Sequence, residues 1–472
     1  MTRETVVDVL AAIESGEVSA EAAAGRALAA IEGWRELNAV ARLDAERALA
    51  AARAVDRGER QGALAGLPIV VKDNIQVAGL PAAAGTPALA GAIAAANAPV
   101  VERLVEAGAV VVATTNMHEL ALGISGFNPT YRTGVEVGVR NPYDTGRFAG
   151  GSSSGTGALV GAGAVAAGLG TDTGGSVRVP AAVNGVAGLR PTVGRYPKEG
   201  IVPLSATRDT PGFIAATVAD IEILDRVVTA AAPVGPADLA GLRLGVAASF
   251  TEGLGAEVAA VWREVLSRLA AAGVVLVEVD AGEIRRWNAE VSFPIVFHEA
   301  RRDLRAYLER HAPGVSIEAV VAGILSADVR ASYEGLVLPG KLPTPDGGVV
   351  DVEPAYRAAM REGRPALIAA YAAVFDAAGI EALVFPAVPE VAVAADEASS
   401  SLETFLTFIR NTDPASNAGL PGLVLPAGRG AATGLPVGIE LDGPAGSDRR
   451  LLAIGMALEG VFGSLPPPSP PG

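Results

Sequence analysis

Two polar turns hold the residues of this chain best suited to chemistry. Gly150–Gly157 and Thr171–Ser176 each present a serine, Ser152 and Ser176, 24 positions apart. Between them lies a segment made almost wholly of Ala, Val, Leu and Gly. Its small side chains suit a place where backbones approach closely, since glycine and alanine impose little bulk. A serine hydroxyl becomes a nucleophile only when a base takes its proton, and a neutral lysine can serve. Lys72 follows directly on the apolar run Leu67–Val71. That position predicts burial, which disfavours the charged form of an amine and lowers its pKa. Thr173, Gly174, Gly175 and Ser176 outline an oxyanion hole, in which successive backbone N–H groups around glycines converge on a developing negative charge.

Other readings of the same turns stay open at this level. Gly151-Ser152-Ser153-Ser154-Gly155 fits G-x-S-x-G, with Ser153 as nucleophile and His298 or His311 downstream as base. That elbow needs a strand directly before it, and NPYDTGRFAG reads as a loop. Gly155-Thr156-Gly157 followed by Gly161 is one residue too long for the G-x-G-x-x-G dinucleotide fingerprint, and no strand precedes it. Plain Gly/Ser turns are the bland alternative. Spacing alone does not bring Lys72, Ser152 and Ser176 together.

The whole chain narrows the chemistry further. It has 472 residues, half of them apolar and 19% charged, enough for a large core. A net charge of −15 argues against nucleic acid or an anionic membrane as partner. With no cysteine, disulfides, thiolate metal sites and a cysteine nucleophile are excluded. The three histidines, His118, His298 and His311, lack HExxH spacing, so no zinc site is expected. The N-terminal MTRETVVDVL has no apolar core of a signal peptide, and no run is long enough to span a bilayer, so a cytoplasmic protein is expected.

The elements that must position these residues read as alternating helices and strands. Three helices are expected in residues 1–60, the second capped by Ser19 and the third by Asp44. Leu67–Val71 and Ala109–Ala113 are buried strands flanking a helix at Pro99–Ala107, and 123–149 reads as loop. Helices at Thr217–Val228 and Ala256–Ala272 alternate with strands at Leu242–Ala247 and Val274–Val279. Residues 283–364 read as a helical lid or insert. A helix from Pro365 to Ala378, strands at Ala382–Phe385, Leu423–Leu425 and Val437–Leu441, and a helix at Asp448–Leu458 complete the pattern. Such alternation predicts an α/β fold with a largely parallel sheet covered on both faces. One domain over 1–464 and a disordered Pro-rich tail at 465–472 are expected.

At the motif level the chain resembles the amidase signature family from about Leu64 to Glu459. The blocks that carry the resemblance are GLPIVVKDNI, ATTNMHELALG, RNPYD…GGSSSG, GLGTDTGGSVRVPAAVNGVAGLRPT and GLPVGIELDGPAGSD. The family implies a large twisted mixed sheet covered by helices, and a Ser–cis-Ser–Lys triad. On this sequence Ser176 would be the nucleophile, Ser152 the proton relay held by a cis peptide after Gly151, and Lys72 the base. Asp172 and Arg178 match positions that buttress the glycine turn, as an ion pair. The implied reaction is hydrolysis of a small-molecule amide through an acyl-enzyme, without metal or organic cofactor; a homodimer is compatible. MHELALGISGFNP, GRYPKEGIVPLSATRDTPG and RNTDPASNAGLPGLVLPAG look most like indoleacetamide and mandelamide hydrolases, which act on amides of small arylacetic-type acids. Ala121, Leu122, Gly123, Ile124 and Thr412 are the expected walls of an apolar pocket. The chain departs from the pattern at an insertion, 132–139, at Phe148-Ala149 before the paired glycines, and at Phe213 and Ala216. Those departures leave carbamates, anilides or esters as alternative substrates. A glutamine-dependent amidotransferase subunit is the other alternative.

Overall fold

The computed structural model describes residues 3–131, 137–344 and 347–469. Among the described residues, eleven strands form one continuous sheet. In chain order they are β1 (Val40–Leu43), β2 (Pro68–Lys72), β3 (Val110–Thr115), β4 (Ala167–Asp172), β5 (Ala187–Arg190), β6 (Thr210–Ala215), β7 (Arg243–Ala247), β8 (Val275–Val279), β9 (Ala382–Pro386), β10 (Gly422–Arg429) and β11 (Pro436–Asp442). Across the sheet they run β1-β3-β2-β4-β6-β5-β10-β11-β9-β7-β8.

Only four of the ten neighbouring pairs are parallel, so the largely parallel sheet expected from helix–strand alternation is corrected to a mixed one. Alternation signals a helical crossover, and it holds at the flanks. The Pro99–Glu106 helix separates the parallel β2 and β3, and the Ala256–Ala271 helix separates β7 and β8. At the centre no helix intervenes between β5 and β6 or between β10 and β11, and both pairs are antiparallel. β1, β4, β5 and β6 escape a reading by apolar runs because they are short or rich in glycine, threonine and charge.

Both faces of the central strands are covered. In β2, Ile69 and Val71 enter the core on one face while Val70 enters the core on the other, the alternation a strand imposes. The Ser154–Gly161 helix is buried along its whole length in the second core. It packs so closely that a Cβ on Gly155 would lie 2.1 Å from the Ala39 carbonyl oxygen. In the expected lid, the long Gly282–His311 helix contributes Val296, Phe297 and Leu304 to a third core with Val320, Val329 and Tyr333. The chain is described to Ser469, and near that end the Pro466 carbonyl accepts from Tyr143 Oη at 3.1 Å and Arg429 Nη2 at 2.9 Å. Among the described residues no helix is long and apolar enough to cross a membrane.

Candidate active site

Parallel pairing sets the site. β2 lies between β3 and β4, so the C-terminal ends of all three open at one edge. Lys72 is the last residue of β2 and is fully buried. Its Nζ is hydrogen-bonded to Ser152 Oγ at 2.7 Å and to Thr171 Oγ1, on β4, at 2.8 Å. Burial pushes the Lys72 amine down to about 7, against the Asp172 and Asp209 carboxylates that favour its charged form. The chain following β3 holds the serine turn: His118 N–H donates to Ser152 O at 3.2 Å, and Gly155 N–H donates to Asn116 O at 2.9 Å. The Gly151–Ser152 peptide is cis. Ser176 meets this turn through its own carbonyl, which accepts from Ser153 N–H at 3.1 Å.

The glycine turn after β4 is held from behind at every carbonyl. Arg190 donates to Asp172 O at 2.8 Å, Arg208 Nε to Thr173 O at 3.0 Å, Thr412 Oγ1 to Gly174 O at 2.6 Å, and Val179 N–H to Gly175 O at 2.7 Å. Gly175 has φ +135°, and a Cβ there would strike Thr412 Oγ1 at 2.2 Å, so only glycine fits. Asp172 takes the N–H groups of Gly175 and Val177, each at 3.0 Å, so Gly175, expected among the oxyanion donors, is corrected: its N–H is spent on the carboxylate. The N–H groups of Thr173, Gly174 and Ser176 have no acceptor among the described residues. Three unspent donors on a fixed turn are what an oxyanion requires.

Asp172 is the anchor of this turn. Arg178 binds it through Nη2 at 3.0 Å and Nε at 3.1 Å, and Arg190 through Nη1 at 2.9 Å, with all three side chains buried. Burial alone would raise its pKa, but the two guanidinium groups and the Val177 N–H outweigh it and hold the carboxyl well below the usual range. Arg178 also binds Glu440 on β11 and Ser416 Oγ.

A cavity of about 420 Å³ opens over Ser176, Thr173 and Gly174. Ala121, Leu122, Gly123 and Ile124 line it. Most of its apolar wall comes from elsewhere: Phe293, Val296 and Phe297 of the Gly282–His311 helix, Leu336, and Phe405 and Ile409 of the Leu402–Ile409 helix. Arg208, Asp413 and Asp328 are its charged members. Thr412, expected in the wall, is corrected: it does not line this cavity, because its hydroxyl turns behind the glycine turn to reach Gly174 O.

The elbow built on Ser153 is not assembled. Ser153 Oγ donates to Thr171 O at 3.1 Å and accepts from Thr171 N–H at 3.3 Å. His298 is bonded to Glu353 at 2.7 Å and stacked on Tyr356, and His311 lies against Tyr307. The segment expected as loop does contain a strand, Asp144–Phe148, but it pairs with Arg140–Asn141 and stands outside the main sheet. Of the expected insertion 132–139, residues 132–136 lie outside the described residues. Phe148 packs edge-on against Phe408, and Phe213 against Tyr196.

Sequence reasoning missed Thr171, Arg190, Arg208, Asp413 and Glu440. Arg190 and Glu440 carried a readable signal, a charge at the end of or within an apolar run (VAGLR, VGIELD). Such charges are buried only when paired.

Fold and site together define an α/β enzyme in which a buried lysine, rather than a histidine, stands beside the candidate serines. The chain belongs to the amidase family, whose model, "Amidase", matches residues 26–452, and it is a hydrolase acting on amides. It is 46% identical to a mandelamide hydrolase of Pseudomonas putida over 94% of this chain and 88% of that one. It is 40% identical to an indoleacetamide hydrolase of Rhizobium radiobacter, with 92% of each chain covered. Among solved structures, the native peptide amidase of Stenotrophomonas maltophilia superposes with a TM-score of 0.84 at 28% identity, covering 99% of both chains.

Proposed function

We propose that this enzyme hydrolyses the C–N bond of small aryl or arylacetic-type amides through an acyl-enzyme on Ser176. The observation that carries the reading is the Lys72–Ser152 hydrogen bond at 2.7 Å beside a turn with three unspent N–H donors. Ser176 Oγ attacks the amide carbonyl while its proton passes to Ser152 Oγ and the Ser152 proton passes to neutral Lys72 Nζ. The carbonyl oxygen takes the negative charge against the N–H groups of Thr173, Gly174 and Ser176. Lys72 then returns a proton through Ser152 to the leaving nitrogen, the C–N bond breaks and amine departs. Water then attacks the Ser176 ester, its proton passing through Ser152 to Lys72, and that proton returns through Ser152 to Ser176 Oγ as the C–O bond breaks and the acid leaves.

The substrate class rests on the cavity, whose phenylalanine and aliphatic walls match a flat apolar acyl group, and on what the mandelamide and indoleacetamide hydrolases are named for. The test is a panel of arylacetamides, anilides, carbamates and esters assayed with wild type, Ser176→Ala, Ser152→Ala, Lys72→Ala and Ser153→Ala. Arylacetamides are expected to be the best substrates, with Ser176→Ala inactive and no acyl adduct on it by mass spectrometry. Full activity in Ser176→Ala, or loss confined to Ser153→Ala, would sink the assignment.

A further inference from the structure

Arg208 is neither nucleophile nor base, yet its guanidinium is spent on three groups that meet at the glycine turn. Nε donates to Thr173 O at 3.0 Å, Nη1 donates to Ser292 O at 3.2 Å, and Nη2 binds Asp413 Oδ1. The side chain is buried, and Asp413 is itself fixed by Asn288 Nδ2 at 3.0 Å and Asn417 Nδ2 at 2.9 Å. A planar fork held at three points has no freedom to swing.

A trans peptide unit is rigid, and its C=O and N–H point in opposite directions. Gripping Thr173 O therefore sets the direction of Gly174 N–H, one of the three donors without an acceptor among the described residues. The next unit is different, because Gly174 O is held by Thr412 and Gly175 N–H is already given to Asp172. Ser292 belongs to the Gly282–His311 helix, whose Phe293, Val296 and Phe297 wall the cavity. One side chain thus joins the donor at the reacting carbonyl to the helix against which the acyl group would pack.

We infer that Arg208 is a positioning residue for amide hydrolysis, aiming Gly174 N–H at the carbonyl oxygen and tying that aim to the seat of the Gly282–His311 helix. The inference rests on Ser176 as the attacking group. Its cost appears in the transition state, where the oxygen is most negative, and little in substrate binding.

The test compares wild type with Arg208→Lys, which keeps a cation for Asp413 but cannot span all three partners. kcat and KM are measured on an arylacetamide. Inhibition is measured with an arylboronic acid, which forms a tetrahedral anion on Ser176, and with 2-phenylethanol, which fills an apolar cavity without presenting an oxyanion. A fall in kcat of about 10- to 100-fold is expected, somewhat less than loss of a whole oxyanion donor. Boronate affinity should fall in parallel, with KM and phenylethanol affinity within about threefold. Unchanged kcat, or equal loss of both inhibitors, would overturn the inference. If Arg208→Lys fails to fold, the crystal structure of the wild-type boronate adduct decides. A boronate oxygen on Gly174 N–H supports the inference, and one bonded elsewhere overturns it. Boronate inhibition that survives in Ser176→Ala sinks the nucleophile assignment instead.

Discussion

At the scale of single residues, Lys72 makes the sharpest claim. As the proposed base it works only when neutral, so kcat/KM is expected to rise with pH through about 7, the value to which burial lowers it. The same shift has a thermodynamic sign. An unfolded chain keeps the Lys72 proton to near the ordinary lysine value of 10.5, while the folded chain releases it at about 7. Between those values folding sheds a proton, and this group's contribution to stability grows with pH by up to about 1.4 kcal/mol per unit. Lys72→Met deletes that slope. Urea unfolding at about pH 7.5 and pH 9.5 should show wild type gaining about 2–3 kcal/mol on Lys72→Met across the interval. Equal slopes for the two proteins would mean the amine is not depressed in the folded state. Lys72 was legible because an apolar run delivers it to a strand end, and the serines because of the turns that present them. Arg208 was not legible. In the sequence it is one charge in a Pro- and Gly-punctuated stretch, and only the fold brings it under Thr173.

At the scale of elements, the Ser154–Gly161 helix shows what the small residues between the two turns are for. Its glycines let it lie directly on the backbone of Ala39 and Asn116, where the end of β3 also holds the serine turn. Gly155→Ala would place a Cβ 2.1 Å from Ala39 O and 2.7 Å from Asn116 O, both backbone atoms that cannot swing aside. A loss of about 3 kcal/mol is expected, the upper range for overpacking, together with most of the activity as the Ser152 turn shifts. Gly25→Ala, in the Ala20–Gly33 helix with open space around it, should instead stabilise by about 0.5–1 kcal/mol. Thermal melts of the two variants separate close packing from helix propensity. The cavity wall offers a second test. His118 Nδ1 accepts from Gly126 N–H at 3.3 Å, so its proton sits on Nε2 and is donated to Asp328 Oδ2 at 3.0 Å. This bond fastens the Ala327–Ser332 helix to the turn after β3. Asp328→Ala leaves the buried Nε2–H unpaired, at a cost of about 1–3 kcal/mol, and should raise KM more than it lowers kcat. Asp328→Asn, which still offers an acceptor, should stay near wild type. The helices were readable from periodicity, whereas β4 was hidden because Ala-Gly-Leu-Gly-Thr-Asp has no apolar run.

At the scale of the whole molecule, several carboxyl groups are buried without full compensation. Burial raises Asp73 and Asp220 to about 6 and Glu459 to about 7, and raises Asp442 above the usual carboxylate range, in each case against hydrogen bonds or charges that favour ionisation. Their unfolded values lie near 4, so from about pH 4 to 7 the folded chain binds more protons than the unfolded one. Stability must then fall as pH rises through that window, each group contributing up to about 1.4 kcal/mol per unit. Asp172 has the opposite sign, but its folded pKa lies below the usual range, so its contribution is complete above about pH 5 and adds no slope between there and pH 7. The net charge of −15 at neutrality acts in the same direction as the buried acids, since self-repulsion grows as carboxylates ionise. The melting temperature is therefore expected to be several degrees higher near pH 5 than near pH 7.5, while kcat/KM moves the other way with Lys72. Asp220→Asn and Glu459→Gln, remote from the cavity and close to each other where Val6 N–H meets Asp220 at 2.9 Å and Val218 N–H meets Glu459 at 2.7 Å, should flatten the stability profile and leave the pH–rate profile untouched. A melting temperature that is level or rising from pH 5 to 7 would show that these carboxyls are ionised in the folded protein.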